Sequence, residues 1–120
     1  MARLGAIATS CCRGEIYWVD FATPRGSEQG GRRPALIIQN NTGNKYSTTA
    51  IVAAITAEVK APYRFHVEIS AAESGLAEDS TVLLEQLLTV SKTRLSSLIG
   101  RLLDSKMKEI DNALRISLSL

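Results

Sequence analysis

The sequence predicts a small, mainly β domain: a curved antiparallel barrel that ends in one helix. Three observations lead to this fold class, namely short runs of β-branched and aromatic residues, turn-forming residues between them, and a change to helical spacing near the C-terminus. With 120 residues, the chain fits one domain that can bury its own core. Hydrophobic residues at 45% and charged residues at 22% place it among ordinary globular proteins.

The first half of the chain contains most of the predicted strands. Residues 14–21 are rich in aromatic and β-branched side chains, and residues 34–40 begin with a proline, where a missing donor does least harm. Residues 49–56 are apolar on both faces, which predicts a central strand. Turn chemistry separates the second and third strands at residues 41–44.

The next two predicted strands differ in their patterns. Residues 65–69 alternate between apolar and polar side chains, as in a half-exposed strand, and residues 81–88 form a buried one. The alternation sets His66 opposite the apolar positions of its strand, facing water or Glu68.

The C-terminal segment changes its period. Ser91 is predicted to cap a short helical turn over residues 91–95, and residues 98–102 form a last short strand. Asp104 then caps a helix that runs to about Ser117, with Asp111 and Arg115 as an i,i+4 ion pair. The apolar stripe of this helix has helical spacing and consists of Met107, Ile110, Leu114 and Leu118.

Charge and cysteine content limit the functional classes. A net charge of +2 excludes a basic arm that coats nucleic acid nonspecifically. Cys11 and Cys12 are adjacent, a geometry that strains a disulfide, so free thiols in a reducing cytoplasm are expected. The sequence has no Cys/His cluster with zinc spacing and no apolar run long enough to span a membrane. Residues 1–12 are predicted to be a flexible extension of a domain at 13–120.

Residues 23–33 form the segment least suited to a core. They hold three glycines, three arginines and one carboxylate between two apolar runs. Glycine lets the backbone move aside for a ligand, and arginine grips phosphate with a planar fork. The segment therefore predicts a mobile, phosphate-facing loop on a rigid β scaffold.

Several short motifs, in order and at fixed spacing, resemble one known family. The motifs are Gly14-Glu15-Ile16-Tyr17, Gly26-Ser27-Glu28-Gln29-Gly30-Gly31, Arg33-Pro34, Ile38-Gln39-Asn40, Asn44, Ala53-Ala54-Ile55-Thr56, Asp79-Ser80, Leu84-Glu85-Gln86, Thr89-Val90 and Arg94-Leu95. Together they cover about residues 13–120 and resemble the MazF/PemK family of toxins, in its Gram-positive branch.

The resemblance implies an SH3-like barrel of the plasmid-maintenance toxin type and a homodimer. It implies a sequence-specific endoribonuclease that cuts single-stranded mRNA without a metal or other cofactor, leaving 2′,3′-cyclic phosphate and 5′-OH ends. It also implies a MazE-like antitoxin whose acidic tail blocks the RNA groove, and a cytoplasmic site of action.

The resemblance also implies roles for individual residues. Arg33 matches the family's catalytic arginine and Thr56 its catalytic threonine, while Glu28 matches a loop glutamate and is the candidate general base. The usual histidine pair of metal-free ribonucleases is missing, because His66 is the only histidine. The positions that match RNA contacts in the family are Ser27, Gln29, Asn40, Ser80, Glu85 and Gln86.

Two other functions remain open for this fold. One is a gyrase-poisoning toxin, which cleaves nothing and relies on a tryptophan-containing C-terminal tail, whereas this sequence ends Ser117-Leu118-Ser119-Leu120. The other is a barrel that binds RNA or protein without catalysis.

Leu88 departs from the basic residue often found at its position in the family, and a leucine cannot make the phosphate contact of a basic residue.

Overall fold

A computed structural model describes residues 10–21, 31–58 and 63–120 of the chain. The six strands are β1 (Glu15–Phe21), β2 (Gly31–Ile37), β3 (Thr49–Thr56), β4 (His66–Ile69), β5 (Ser80–Ser91) and β6 (Leu95–Arg101). The helices are α1 (Asn41–Tyr46), α2 (Ala71–Ser74) and α3 (Asp104–Leu118), with a 3-10 turn at Lys92–Arg94. Most of the predicted loop lies outside the described residues.

The strands form one antiparallel sheet in the order β4-β5-β3-β2-β1-β6. This curled half-barrel with a terminal helix confirms the predicted fold class. β3 is central and has the predicted bounds, and Ser91 caps the 3-10 turn as predicted. The bounds of β2 and β6 were predicted three residues too late at their starts, and β5 continues to Ser91 instead of ending at 88.

A wide bulge divides β5 into two halves. Ala53 of β3 is opposite Leu87, but its neighbour Ala54 is opposite Leu83, so β5 has three additional residues between these two pairs. Leu84 is fully buried, whereas the next two residues of the bulge, Glu85 and Gln86, are exposed. A bulge re-aims side chains and locally bends its strand.

One face of the sheet, here named the helix face, packs against α3. Met107 and Ile110 of the predicted apolar stripe are buried against strand residues such as Leu84, while Leu118 is half exposed.

Two expectations about α3 are wrong. Leu103 is its N-cap and Asp104 is already inside the first turn, where its charge still suits the helix dipole. Asp111 pairs with Arg13 at 2.7 Å, because this arginine from outside the helix reaches it.

The opposite face, here named the open face, has a smaller apolar cluster. Cys11 is 3% exposed and packs there with Val19, Ile37 and Val52. Ordered packing therefore begins at least as early as Cys11, within the segment 1–12 that was predicted to be flexible, whose residues 1–9 lie outside the description. Cys11 and Cys12 are free thiols, as predicted.

Two short helices were not predicted. The sequence predicts a turn at residues 41–44, but this segment begins α1, because the Asn40 side chain accepts the Gly43 N–H as a helix cap at 2.7 Å. α2 is closed at its start by a capping box between Ser70 and Glu73.

Contacts between α2, α3 and the two edge strands complete the half-barrel. β6 runs so close to α2 that a Cβ added at Gly100 would overlap the Ser74 carbonyl oxygen. At the other edge, Lys106 of α3 donates to the Glu68 carbonyl of β4 at 3.3 Å.

Candidate functional site

The strand register aligns the two principal candidate residues. β2 and β3 pair through Ala35 and Ala54, and extending this register by two residues sets Arg33 opposite Thr56. Further pairs continue the row in both directions, with Val19 of β1 beside Arg33 and Thr81 of β5 beside Thr56. Residues directly opposite each other point to the same face. Arg33 and Thr56 therefore share the open face, away from α3.

Arg33 differs from its neighbour Arg32 in its surroundings. The Arg32 guanidinium lies 5.4 Å from the centre of the Trp18 ring and 3.4 Å from the Ser96 hydroxyl. Successive strand residues point to opposite faces, so Arg33 points away from these partners. In the described part of the chain, no side-chain or backbone acceptor bonds to the Arg33 guanidinium, and its five donors suit an oxyanion.

Thr56 ends β3 with a hydroxyl prepared to donate. Its oxygen accepts the backbone N–H of Glu58 at 3.1 Å, a bond that holds the side chain in place. A hydroxyl has two acceptor lone pairs and one hydrogen, so this contact leaves the hydrogen for an incoming oxygen. The side chain is half-buried at the end of a strand, where it is rigid and still accessible.

His66 faces a partner that sequence reasoning missed. It was predicted to face water or Glu68, but its Nε2 lies 3.0 Å and 3.2 Å from the two carboxylate oxygens of Glu85. The reason is the bulge in β5, which directs Glu85 back over β4. No local sequence signal announces that contact, because the two residues are 19 positions apart.

The structure brings together only part of the predicted set. Arg33, Thr56, Glu85 and Gln86 belong to neighbouring strands of the sheet. Two positions have local roles: Asn40 caps α1 beyond the far end of β2, and Ser80 is nearly buried and donates to the Glu78 carbonyl at 3.0 Å. The predictions that lie outside the described residues are Ser27, Glu28 and Gln29.

The described end of the predicted loop supports its glycine chemistry. Gly31 opens β2 with φ of +80°, a left-handed conformation that favours glycine. A side chain there would be strained even though no atom lies within 4 Å of the place its Cβ would take. The chain thus enters β2, two residues before Arg33, through a backbone geometry that constrains the sequence.

Two titratable groups near the apolar cluster are unsuited to neutral-pH proton transfer. The pKa of Tyr17 is raised to about 12, first by burial and then by the charge of Glu15, to which its hydroxyl donates at 3.2 Å. Burial also raises the pKa of the Cys11 thiol, although the nearby Lys92 ammonium opposes this. Both groups stay protonated at pH 7.

One cavity of the structure is unsuited to RNA. It has a volume of about 650 Å³ beside β4, and its lining includes neither Arg33 nor Thr56. Its charged lining is Glu68, Glu73, Asp79, Glu109 and one base, Lys106. Carboxylates repel phosphate, so the part of the open face around Arg33 and Thr56 is the better candidate.

Neither a metal site nor a membrane segment is found in the residues described. Within 10–21, 31–58 and 63–120, no three His, Cys, Asp or Glu side chains are grouped to hold a metal ion. None of the helices in these ranges is long and apolar enough to cross a membrane.

Known proteins resemble this chain in sequence and in structure. Residues 12–118 match the family described as PemK-like, MazF-like toxin of type II toxin-antitoxin system. The chain is 53% identical to "Endoribonuclease MazF" of Staphylococcus saprophyticus over 109 residues, which are 90% of this chain and 91% of that protein. It is 52% identical to "Endoribonuclease EndoA" of Bacillus subtilis, also over 109 residues, 90% of this chain and 94% of that one.

Solved structures share the fold at lower identity. An endoribonuclease from mycobacterial species has a TM-score of 0.78 and 21% identity, covering 96% of this chain and 97% of that one. A MazE–MazF structure from Deinococcus radiodurans has a TM-score of 0.76 and 24% identity, covering 94% and 99%. The match over nearly the whole sequence and the identity above 50% lead to one conclusion: this chain belongs to the PemK/MazF family of toxins of type II toxin–antitoxin systems.

Proposed function

We propose that this chain is the toxin of a toxin–antitoxin pair, an endoribonuclease that cuts single-stranded mRNA at specific sequences. Its relatives at 52–53% identity are named endoribonucleases, and it matches them over 90% of its length. The observation that carries the proposal is the pairing of Ala35 with Ala54, because the same register, extended by two residues along both strands, sets Arg33 opposite Thr56 on the open face. A phosphate between them meets a guanidinium fork and a hydroxyl donor.

The reaction is an attack by the 2′-OH on the neighbouring phosphorus. The O2′–P bond forms and the P–O5′ bond breaks, which gives a 2′,3′-cyclic phosphate and a 5′-OH end. Arg33 holds the phosphate and stabilises the charge that develops on its oxygens, and Thr56 donates to one of them. No cofactor is required for this step.

Proton transfer falls to a carboxylate in this scheme. A guanidinium pKa above about 12 makes Arg33 a poor base at pH 7. Glu28 is the proposed general base, because an ionised carboxylate can accept the 2′-OH proton. Glu28 takes the 2′-OH proton, and the leaving 5′ oxygen takes a proton from water to become the 5′-OH; the hydroxide that remains takes the proton from Glu28 and restores its carboxylate.

Recognition of the RNA sequence is assigned to polar side chains around this centre. Glu85 and Gln86 project from the β5 bulge, and their carboxylate and amide groups can bond to exposed base edges. Ser27 and Gln29 of the loop complete the proposed contacts, together with Asn40 at the start of α1 and Ser80 beside Thr81 in β5.

The proposed partners are a second copy of the chain and an antitoxin. Structures of related toxins are known in complex with a cognate antitoxin. An acidic antitoxin tail that lies on the open face would compete with RNA, because carboxylates and phosphates both bind to an arginine fork. The proposed site of action is the cytoplasm, where mRNA is found.

The test is a digest of a long, mixed-sequence RNA in EDTA, with mapping of the 5′ ends. Wild type should cut at discrete sites and leave 5′-OH ends. Arg33→Ala should lower the rate by about 10²–10³-fold, as expected for losing one oxyanion donor, and Thr56→Ala should lower it as well. The exposed Lys108→Ala on α3 is the matched control and should cut like wild type.

Each contrary result has a definite meaning. If the wild type leaves the RNA intact, the protein is a binder without nuclease activity. If both variants cleave normally, the chain is a nuclease whose active centre lies elsewhere. If cleavage requires added metal, the metal-free mechanism is wrong.

A further inference from the structure

The pair between His66 and Glu85 is built more firmly than a surface contact. The His66 side chain is 7% exposed, while that of Glu85 is 36% exposed and borders solvent. The Nε2 atom lies within hydrogen-bond distance of both carboxylate oxygens, at 3.0 Å and 3.2 Å. The buried His66 side chain thus holds the accessible carboxylate of Glu85.

The chemistry of the pair fixes its proton. An ionised carboxylate can only accept, so Nε2 must be the donor, whether the ring is neutral or charged. One N–H shared between the two oxygens occupies a small part of the carboxylate's acceptor capacity of about four lone-pair sites. The remaining lone pairs of Glu85 are available to a ligand at its exposed side.

Two aromatic rings hold the imidazole in place. Tyr63 and Phe65 stack at 5.0 Å with nearly parallel planes, and the His66 ring meets each of them edge-on, at 5.3 Å and 5.0 Å. The Leu84 N–H donates to the Phe65 carbonyl at 3.0 Å, which ties the base of the bulge to the same turn. The position of Glu85 is therefore set from both strands.

We propose that His66 is a positioning residue that holds Glu85 ready to accept a hydrogen bond from an RNA base with an exocyclic amino group. The inference rests on the proposed function and specifies its substrate. A carboxylate accepts from the exocyclic amino group of cytosine, adenine or guanine, whereas uracil has no such group and its N3–H is flanked by two carbonyl oxygens that repel a carboxylate. Fixing the carboxylate beforehand removes part of the entropy cost of binding.

The simpler alternative is that the pair only ties β4 to β5. A hydrogen-bonded pair of that kind contributes to stability and leaves base preference unchanged. A positioning role instead predicts a change in KM that depends on the bases of the substrate and vanishes without Glu85. The two roles therefore differ in a quantity that can be measured on folded protein.

The test compares His66→Gln with His66→Asn. Both replace the ring by an amide, but glutamine places its N–H near the position of Nε2, whereas asparagine places it near Nδ1. On substrates that span a mapped cut site, His66→Asn should raise KM about tenfold, the loss expected for one hydrogen bond to a charged group. The value of kcat should change by less than about twofold, and His66→Gln should recover most of the loss.

A double-mutant cycle with Glu85→Ala assigns the effect to the pair. In the Glu85→Ala background, His66→Asn should have no further effect on KM. Replacing the amino-bearing base with uracil at the sensitive position should likewise abolish the difference between wild type and His66→Asn. Equal KM values for wild type and His66→Asn, or equal losses for the two His66 variants, would overturn the proposal.

A measurement on the wild type removes the dependence on variants that fold. His66 is the only histidine, so its imidazole nitrogens give a single set of signals in an NMR spectrum. A protonated Nε2 whose signal shifts when RNA is added supports the proposal. A neutral ring with its proton on Nδ1 overturns it.

The RNA probe separates this inference from the proposed function. A mixed-sequence transcript made with 2′-fluoro nucleotides has no attacking hydroxyl, so its binding is independent of cleavage. If natural RNA stays intact but the 2′-fluoro RNA binds, and binds more weakly to His66→Asn, the nuclease proposal fails and the positioning role stands. Cleavage by the wild type with unchanged binding by His66→Asn gives the reverse result.

Discussion

The two faces of the sheet use the same strands for opposite purposes. On the helix face, Leu36 and Ile55 pack with Ile110 of α3 and are almost completely buried. Along their strands they alternate with residues of the open face. The apolar cluster of the open face includes Val19 but neither Arg33 nor Thr56, which lie in the same row. Since strand residues alternate between faces, a rigid core on one side positions reactive side chains on the other.

Substitutions on the two faces should therefore have separate effects, on stability for one face and on activity for the other. Side chains of the helix face contribute mainly to the free energy of unfolding, because they are removed from water. The accessible side chains of the open face, such as Arg33, are expected to contribute mainly to binding and catalysis, because they keep a surface for a ligand. Four substitutions test this division, ordered by the size of the expected effect.

Ile110→Ala should have the largest effect, on stability alone. Ile110 is fully buried between α3 and the sheet, so removing its side chain leaves a cavity that costs about 2–5 kcal/mol of the free energy of unfolding. Urea unfolding measures this loss. The cleavage rate per folded molecule should stay at the wild-type value. A rate as low as that of the Arg33→Ala variant would mean that the two faces are coupled.

Arg33→Lys should give the next largest effect, on activity. Lysine keeps the positive charge but loses the planar fork, so the rate should fall about tenfold, equivalent to about 1.4 kcal/mol of transition-state stabilisation. Single-turnover cleavage measures the rate. Urea unfolding is the control and should match the wild type, since the side chain belongs to the open face.

Leu88→Lys should strengthen the binding of RNA to the open face. Leu88 is 44% exposed and pairs in register with Val52, which belongs to the apolar cluster of that face. A lysine there should add one phosphate contact and steepen the dependence of log K on log salt by about 0.7 for single-stranded RNA. Binding titrations across several salt concentrations test this. An unchanged slope would mean that the RNA path does not pass Leu88.

Tyr17→Phe should have the smallest effect, visible only at high pH. Folding raises the pKa of Tyr17 from 10.0 to about 12, so the folded state prefers the neutral phenol. Its contribution to stability is complete below pH 10 and is lost as the pH rises through about 12. The variant has no such proton to lose, so its free energy of unfolding should fall less steeply over this window.

The control for this last prediction is another tyrosine in a different setting. Tyr46→Phe removes a phenol that is 75% exposed, and it should leave the alkaline stability profile unchanged. Urea unfolding at a series of pH values compares the three proteins. A Tyr17→Phe profile parallel to that of the wild type would show that burial of this phenol has no energetic consequence.

The sequence was enough to predict those elements whose limits are set by neighbouring residues in the chain. β3 has the predicted bounds because its apolar run is bordered by turn residues on one side and ends at Thr56. α1 was missed because an asparagine cap and an asparagine turn look alike in sequence, and only the continuation of the helix to Tyr46 separates them.

The candidate site was predictable where a motif specified it and hidden where the contact is nonlocal. Arg33 and Thr56 were selected by their motifs, and the register of β2 and β3, extended two residues beyond the pair Ala35–Ala54, sets them opposite each other. The partner of His66 depends on the three additional residues of the β5 bulge, and strand alternation carries no information about a bulge. Wherever the ladder is irregular, alternation fails to predict the direction of a side chain.

The position of β1 in the sheet has a consequence for how the protein is made. β1 pairs with β2 and also with β6. Glu15 therefore cannot pair with Arg101 until the ribosome has added Arg101, much later in synthesis. α3, which covers the helix face, follows later still. During synthesis the residues of the open face emerge before the elements that make their scaffold rigid. A nascent chain therefore exposes Arg33 and Thr56 without the geometry that aligns them, and the onset of function is tied to completion of the half-barrel.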